Sequence, residues 1–192
     1  RRRLLDFFVE TPARAIPEAD ADLREVHADF GAATQAFHIG AATVAVPGVA
    51  AGLWEAHARY GRLPFSDLAA PAIARAAEGA VLAPFQRRVL GIVSPIYRAT
   101  PAARALFLGD AEGEPEAAFV YRNGALADVL SEYAAEGPRF LQEGEPAAAL
   151  AALCADGGGV TRADLRAYAP VWREPETAER GACEAMNERE VA

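Results

Sequence analysis

The stretch VAVPGVAAGLWEAHARYG, residues 44–61, sets the tightest limit on how this chain can fold. A β-like run from Val44 to Val46 stops at Pro47-Gly48, and a helical pattern follows. Proline has no N–H and a fixed φ, so it suits the position just before or at the first turn of a helix. Glycine lets two backbones approach closely. Val49, Leu53, Ala56 and Tyr60 recur at i, i+4, i+7 and i+11, which is one helical face, and Trp54 flanks it. Glu55 and Arg59 stand i, i+4 in the favourable order. Gly61 is the expected residue just past the helix end. The Pro-Gly corner therefore predicts a strand turned into a packed helix, with layers in close approach.

Other helices announce themselves by their ends. Ser66 reads as an N-cap for a helix from Asp67 toward Ala77, closed by Gly79, with Pro71 inside it. Residues 84–108 give one or two helices interrupted at Ser94-Pro95 and Thr100-Pro101. An acidic loop, GDAEGEPEAA, fills residues 109–118. Leu126, Val129, Leu130 and Tyr133 lie on one face of a helix over 125–136, stopped by Gly137-Pro138. Pro146 starts the next helix, which runs into Gly157-Gly158-Gly159. Thr161 and Asp164 open a further short helix as a near capping box, with Asp in place of Glu. Residues 4–9, LLDFFV, read as a strand. Residues 13–36 read as a loop with a short helix, and 37–46 as strand-like in parts. The expected class is helix-rich α/β (α+β), with most strands near the start.

The 192 residues suffice for one domain with a real core, and 52% are hydrophobic, much of that share alanine. No apolar run reaches the roughly 18–20 residues that span a bilayer. The opening Arg1-Arg2-Arg3-Leu4-Leu5 carries no signal-peptide pattern and starts mid-pattern, so an upstream portion is expected. A net charge of −8 argues against a nucleic-acid binder, which needs a basic face. Cys154 and Cys183 form neither a staple framework nor a metal-ligand spacing, and Cys154 reads as a small buried hydrophobe.

Local chemistry is sparse. The glycine run at 157–159 is not followed by Lys-Ser/Thr, so a helix end and turn explain it better than a phosphate cradle. His27, His38 and His57 lack ligand spacing. There is no G-x-S-x-G elbow, and Ser66, Ser94 and Ser131 sit in no nucleophile context. Asp6 and Glu10, near a strand end, form a candidate acid/base pair whose competing reading is structural.

The order of the pieces is more telling. LDFFVETPA (5–13), AVPGVAAGLWEAHARYGRLPFSDLAAPAIARAAEG (45–79), AAEGPRFLQEG (134–144) and GGGVTRADLRAYAPVWREP (157–175) together resemble the large-subunit region of the gamma-glutamyltranspeptidases. The resemblance covers residues 4–175. It implies the helix-rich portion of a four-layer αββα N-terminal-nucleophile hydrolase fold. It also implies a precursor that cuts itself before a threonine, with that threonine as nucleophile and its α-amine as base. The substrates implied are γ-glutamyl amides, with transfer to water or an amino acid. The implied partner is the small subunit of the same precursor. No cofactor, metal, membrane or nucleic acid is implied, and relatives are often periplasmic or secreted.

Two departures qualify this picture. The nucleophilic threonine belongs downstream of everything matched here, so no catalytic residue is assigned; Thr161 and Thr177 are in the wrong context. The chain is expected to be a partial large-subunit domain over 1–175 with an irregular acidic tail over 176–192. The family's D-F-R-E-x-A-P is here Asp6-Phe7-Phe8-Val9-Glu10-Thr11-Pro12, so Phe8 stands where an arginine would hold the substrate's α-carboxylate. Phe8 and Glu10 are the expected substrate-binding residues, in a pocket made more apolar by Phe8. Two readings follow: an amidohydrolase or acyltransferase with altered acyl preference, inactive without the small subunit, or a catalytically dead remnant that serves as a binding or structural partner.

Overall fold

A computed structural model describes residues 2–176. Cys183 and the acidic stretch from residue 177 onward lie outside the described residues. The chain opens with β1 (Leu4–Asp6), a 3₁₀ turn at Glu18–Asp20, and the strands β2 (Arg24–Asp29) and β3 (Thr34–Ile39). Helices α1 (Val49–Tyr60) and α2 (Phe65–Glu78) follow, then strand β4 (Ala80–Val81). Three short helices come next: α3 (Pro84–Ile92), α4 (Ser94–Tyr97) and α5 (Pro101–Phe107). Strand β5 (Val120–Tyr121) precedes α6 (Gly124–Glu136), α7 (Pro138–Glu143), α8 (Glu145–Leu153) and α9 (Arg162–Ala167), and β6 (Val171–Arg173) is last among the described residues. The strands pair antiparallel as β1–β6, β2–β3 and β4–β5. No helix among the described residues is long and apolar enough to cross a membrane.

The Pro47-Gly48 corner is a packing device. A Cβ on Gly48 would lie 2.0 Å from the Tyr168 hydroxyl and 2.3 Å from the Phe7 carbonyl. One on Gly52, a turn later, would lie 2.1 Å from the Phe7 ring. The missing side chains open a gap on α1 that Phe7 fills, so the chain leaving β1 lies directly on the helix. Just before the corner, Val46 exchanges backbone hydrogen bonds with Glu10, at 2.9 and 3.1 Å. Val46 belongs to the core with Ala51, Ala147, Cys154, Val160, Leu165 and Tyr168. These are mostly small side chains, as the alanine-rich composition predicts. Cys154 is fully buried and free, as its sequence context suggested.

A second packing centre joins α1, α2 and α6. Phe65 meets Trp54 at 4.9 Å and Tyr133 edge-on at 5.2 Å between ring centroids. The Tyr133 hydroxyl donates to the Ala50 carbonyl at 2.6 Å, and burial pushes its phenol up to about 12. Such a buried aromatic group needs its polar end satisfied, and it is.

Several expectations need correction. The expected apolar face of α1 is turned outward: Val49, Leu53 and Tyr60 are exposed, while Gly48, Ala51 and Gly52 are buried. The smallest side chains take the core side because Phe7 and Tyr168 need the room. Gly61 stands just past the end of α1 as expected, with a φ of −63°. Glycine is needed there because a Cβ would meet the His57 ring at 2.3 Å. Ser66 caps nothing: α2 begins at Phe65, which the aromatic cluster draws into the helix, with Pro64 before it. The strand expected over 4–9 ends at Asp6, because β6 offers only three residues to pair with.

The loop expected over 13–36 contains most of a hairpin. β2 and β3 pair from Arg24↔Ile39 to Asp29↔Thr34. Among the β2 residues only Ala28 is buried, so the hairpin lacks the alternating apolar face that announces a strand. In contrast, the prolines at 95, 101, 138 and 146 all fall in the first turns of their helices. Thr161 and Asp164 form the expected capping box. The 157–159 glycines make a turn, held where the Arg14 guanidinium donates to the carbonyls of Cys154 and Gly158.

The Phe7 contact fixes the sign of one substitution. Gly→Ala in an exposed helix interior normally stabilises by about 1 kcal/mol. Gly52→Ala should instead destabilise by roughly 1–3 kcal/mol through overpacking against Phe7. A urea-unfolding midpoint checks it, and a rise in stability would refute the close approach.

Candidate active-site cleft

Alternation along the β1–β6 ribbon divides its residues into two sets. Leu5 pairs with Trp172, and with Phe7 these residues face α1. Trp172 donates from Nε1 to Glu55 at 2.8 Å, and the Arg59 guanidinium lies 4.7 Å from the Trp172 ring centroid. Asp6, Phe8, Val171 and Arg173 take the opposite face. Together with Glu10 and Tyr168 they line a cleft of about 240 Å³.

Each polar group in this cleft has a distinct state. Asp6 accepts from the Phe8 N–H at 3.2 Å and from Arg173 Nε at 2.8 Å. The Phe8 N–H first, and then Arg173, hold its carboxyl below the usual carboxylate range. Tyr168 is the residue that ends α9, and its hydroxyl donates to the Phe8 carbonyl at 2.8 Å. Burial, and then the negative charges of Glu10 and Asp6, push its phenol up, so it remains a neutral donor. Glu10 is fixed through its backbone bridge to Val46, and its carboxylate makes no hydrogen bond or ion pair among the described residues. The Phe8 side chain is 79% exposed and forms the apolar part of the wall.

The structure thus brings Phe8, Glu10 and Asp6 to one cleft. It does not join Asp6 and Glu10 as an acid/base pair, because Asp6 is committed to Arg173 and to the Phe8 amide. Arg173 and Tyr168 were not singled out in the sequence. They stand about 160 positions away along the chain from their hydrogen-bond partners Asp6 and Phe8. The signal was present in the piece GGGVTRADLRAYAPVWREP, where V-W-R alternates as a short strand does. The histidines play no part here. His57 bonds the Leu63 carbonyl at 2.8 Å, and His27 and His38 flank Glu25 on the β2–β3 hairpin. Among the described residues, no group of three or more His, Cys, Asp or Glu side chains is arranged to hold a metal ion.

A profile of the family described as Gamma-glutamyltranspeptidase matches residues 13–186. This chain belongs to the gamma-glutamyltranspeptidase family. The family is one of N-terminal-nucleophile hydrolases, as the order of motifs suggested. The chain is 36% identical over 143 residues to a glutathione hydrolase proenzyme of Pseudomonas aeruginosa, across 71% of this chain and 24% of that protein. It is 34% identical over 139 residues to the acylase ACY 1 proenzyme of a Pseudomonas species, across 71% of this chain and 25% of that protein. A gamma-glutamyltranspeptidase from Pseudomonas nitroreducens, solved with L-DON, superposes with a TM-score of 0.68 at 30% identity. That superposition covers 89% of this chain and 48% of the other. The chain therefore spans about a quarter of the length of the curated relatives it matches. Mixed helices with small antiparallel sheets fit an α+β portion of the gamma-glutamyltranspeptidase fold. The proenzyme names record that these relatives are made as precursors.

The cleft depends on α9 to present Tyr168, and α9 depends on Asp164. That carboxylate accepts from the Thr161 hydroxyl at 2.6 Å, the Thr161 N–H at 2.9 Å and the Ala13 N–H at 3.1 Å. The Thr161 hydroxyl first, and then the two backbone N–H groups, hold its carboxyl low. A depressed carboxyl contributes stability that is fully present above its unfolded value of about 4 and is lost as pH falls through the folded value. Asp164→Asn should lower the thermal midpoint at neutral pH, and its deficit should shrink steadily on acidification. Circular-dichroism melts across that range check this; a deficit independent of pH would contradict it.

Proposed function

We propose that this chain is the large-subunit portion of a gamma-glutamyltranspeptidase-like amidohydrolase or acyltransferase whose acyl pocket has one wall at Phe8 and Glu10. The small subunit of the same precursor supplies the nucleophilic threonine. Its hydroxyl attacks the amide carbonyl of the donor, its α-amine takes the proton, and water or an amine resolves the acyl-enzyme. The large-subunit portion contributes the grip on the acyl tail. The observation that carries this reading is the cleft itself: Phe8 and Glu10, the positions expected to meet substrate, both line it. Phe8 offers an apolar surface where an arginine would form paired bonds to a carboxylate, so acyl preference differs from that of a standard γ-glutamyl enzyme. Glu10, free of other bonds, is suited to a cationic group on the donor.

The exposed apolar side chains support the small subunit as partner. Leu4, Phe8, Val9 and Val171 on the β1–β6 side, and Val49, Leu53 and Tyr60 along α1, are all exposed. A two-stranded ribbon is marginal on its own, and additional strands against it would bury this surface.

The test is hydrolysis of a chromogenic γ-glutamyl anilide by the full gene product and by its Phe8→Arg variant. Phe8→Arg is expected to raise kcat/KM for this donor by about tenfold or more, the effect of one charge-assisted pair gained. Inactivity of both proteins, with no self-cleavage on a gel, would refute the enzyme reading and favour the catalytically dead remnant.

A further inference from the structure

A second cleft lies between α3, the end of α5 and the β4–β5 ribbon, and it shares no lining residue with the first. We propose that it binds a small neutral aromatic molecule bearing a carbonyl acceptor. Its volume is about 420 Å³, within the range of small-molecule sites. Phe85, Gln86, Val89 and Leu90 line it from α3, at i, i+1, i+4 and i+5, which is one helical face. The Phe85 side chain is 78% exposed, so this face has no cover among the described residues. The opposite wall is aromatic. Phe107 stacks on Tyr121 at 5.5 Å between ring centroids, and Tyr97 backs Phe107 at 4.3 Å. Rings held in a column offer a further ring a surface whose ordering cost is already met.

The polar groups select the occupant. The Gln86 side-chain carbonyl accepts from the Ala83 N–H at 2.8 Å, which leaves its NH₂ as a donor. Asn123 caps α6 by accepting from the Leu126 N–H at 3.0 Å, which turns its NH₂ toward the Tyr121 hydroxyl at 3.5 Å. That hydroxyl accepts from Asn123 and keeps its own hydrogen to donate. The lining therefore presents donors, and no charged side chain belongs to it. A carboxylate or an ammonium group would lose hydration there without a counter-ion, whereas a carbonyl accepts what the lining offers. Peptide partners fit less well. Strands of two residues give too short an edge for an added strand, and the α3 face from Phe85 to Leu90 rises only about 8 Å, less than a docked helix needs. Binding here does not depend on the acyl-transfer reading.

The experiment titrates the full gene product with 2-acetonaphthone, 2-naphthoate and 2-methylnaphthalene, read by ligand fluorescence. The three share one ring system and differ in carrying a neutral carbonyl, a charge or no acceptor. The ketone should bind tightest, with naphthoate weaker by about tenfold or more because its charge is desolvated unpaired. Tyr121→Phe keeps the ring column and should weaken the ketone by about threefold to tenfold, the loss of one hydrogen bond, while 2-methylnaphthalene stays within about twofold. Val89→Trp should fill the cleft and weaken both neutral ligands by about tenfold or more. Thermal midpoints near that of the parent show that each variant is folded. Equal affinity for the ketone and naphthoate overturns the proposal, as does a Tyr121→Phe effect shared by both neutral ligands. Binding that survives Val89→Trp places the ligand elsewhere, and no binding by the parent also overturns the proposal. A dimer in sedimentation that Phe85→Asp dissociates would make this face a contact between copies, and the small-molecule assignment would fall.

Discussion

The seat of Phe7 on α1 is the contact on which the rest of the site depends. Gly48 and Gly52 leave α1 without side chains where the Phe7 carbonyl and ring come closest. With Phe7 held there, the alternation of an extended chain turns Asp6 and Phe8 to the other face. The Tyr168 hydroxyl then reaches the Phe8 carbonyl across the same narrow gap. Three segments distant in sequence, the β1 exit, the start of α1 and the end of α9, therefore meet around one missing Cβ. Close-packed interiors convert such a gap into a fixed geometry, because any added atom has nowhere to go.

The electrostatics of the cleft follow from that geometry. Asp6 and Arg173 satisfy one another on one side, and Tyr168 stays neutral and donates on another. Glu10 retains an uncommitted charge. The lining carries two carboxylates, Asp6 and Glu10, against the one guanidinium of Arg173, so it shares the negative sign of the chain's net charge of −8. Because Asp6 holds Arg173 at Nε, the pair is anchored without using all of the fork's donors. An exposed ion pair of this kind adds little stability. Its effect is on where the guanidinium stands.

The outward face of α1 is the other consequence of using glycine at the helix contact. Small residues face the core, and the larger Val49, Leu53 and Tyr60 are left on the opposite side. These side chains recur at i, i+4 and i+11 along one stripe of the helix. This chain also corresponds to about a quarter of its curated relatives.

The sequence alone determined the helices and their punctuation. Pro101, Pro138 and Pro146, the Thr161–Asp164 box and the Gly79 and Gly137 stops act within a few residues, so a linear reading finds them. The order of those pieces also carried the family. Phe8 and Glu10 could be named as candidate site residues because they fall within one such piece. Only the tertiary structure decided which face of α1 is buried, that Ser66 is no cap, that residues 24–39 form a hairpin, and that Arg173 and Tyr168 join the cleft. Each of these outcomes turns on a contact between residues far apart in the chain or on pairing without an apolar alternation. Periodicity reports what a segment can bury. It does not report which neighbour arrives, and at Gly52 the neighbour is Phe7.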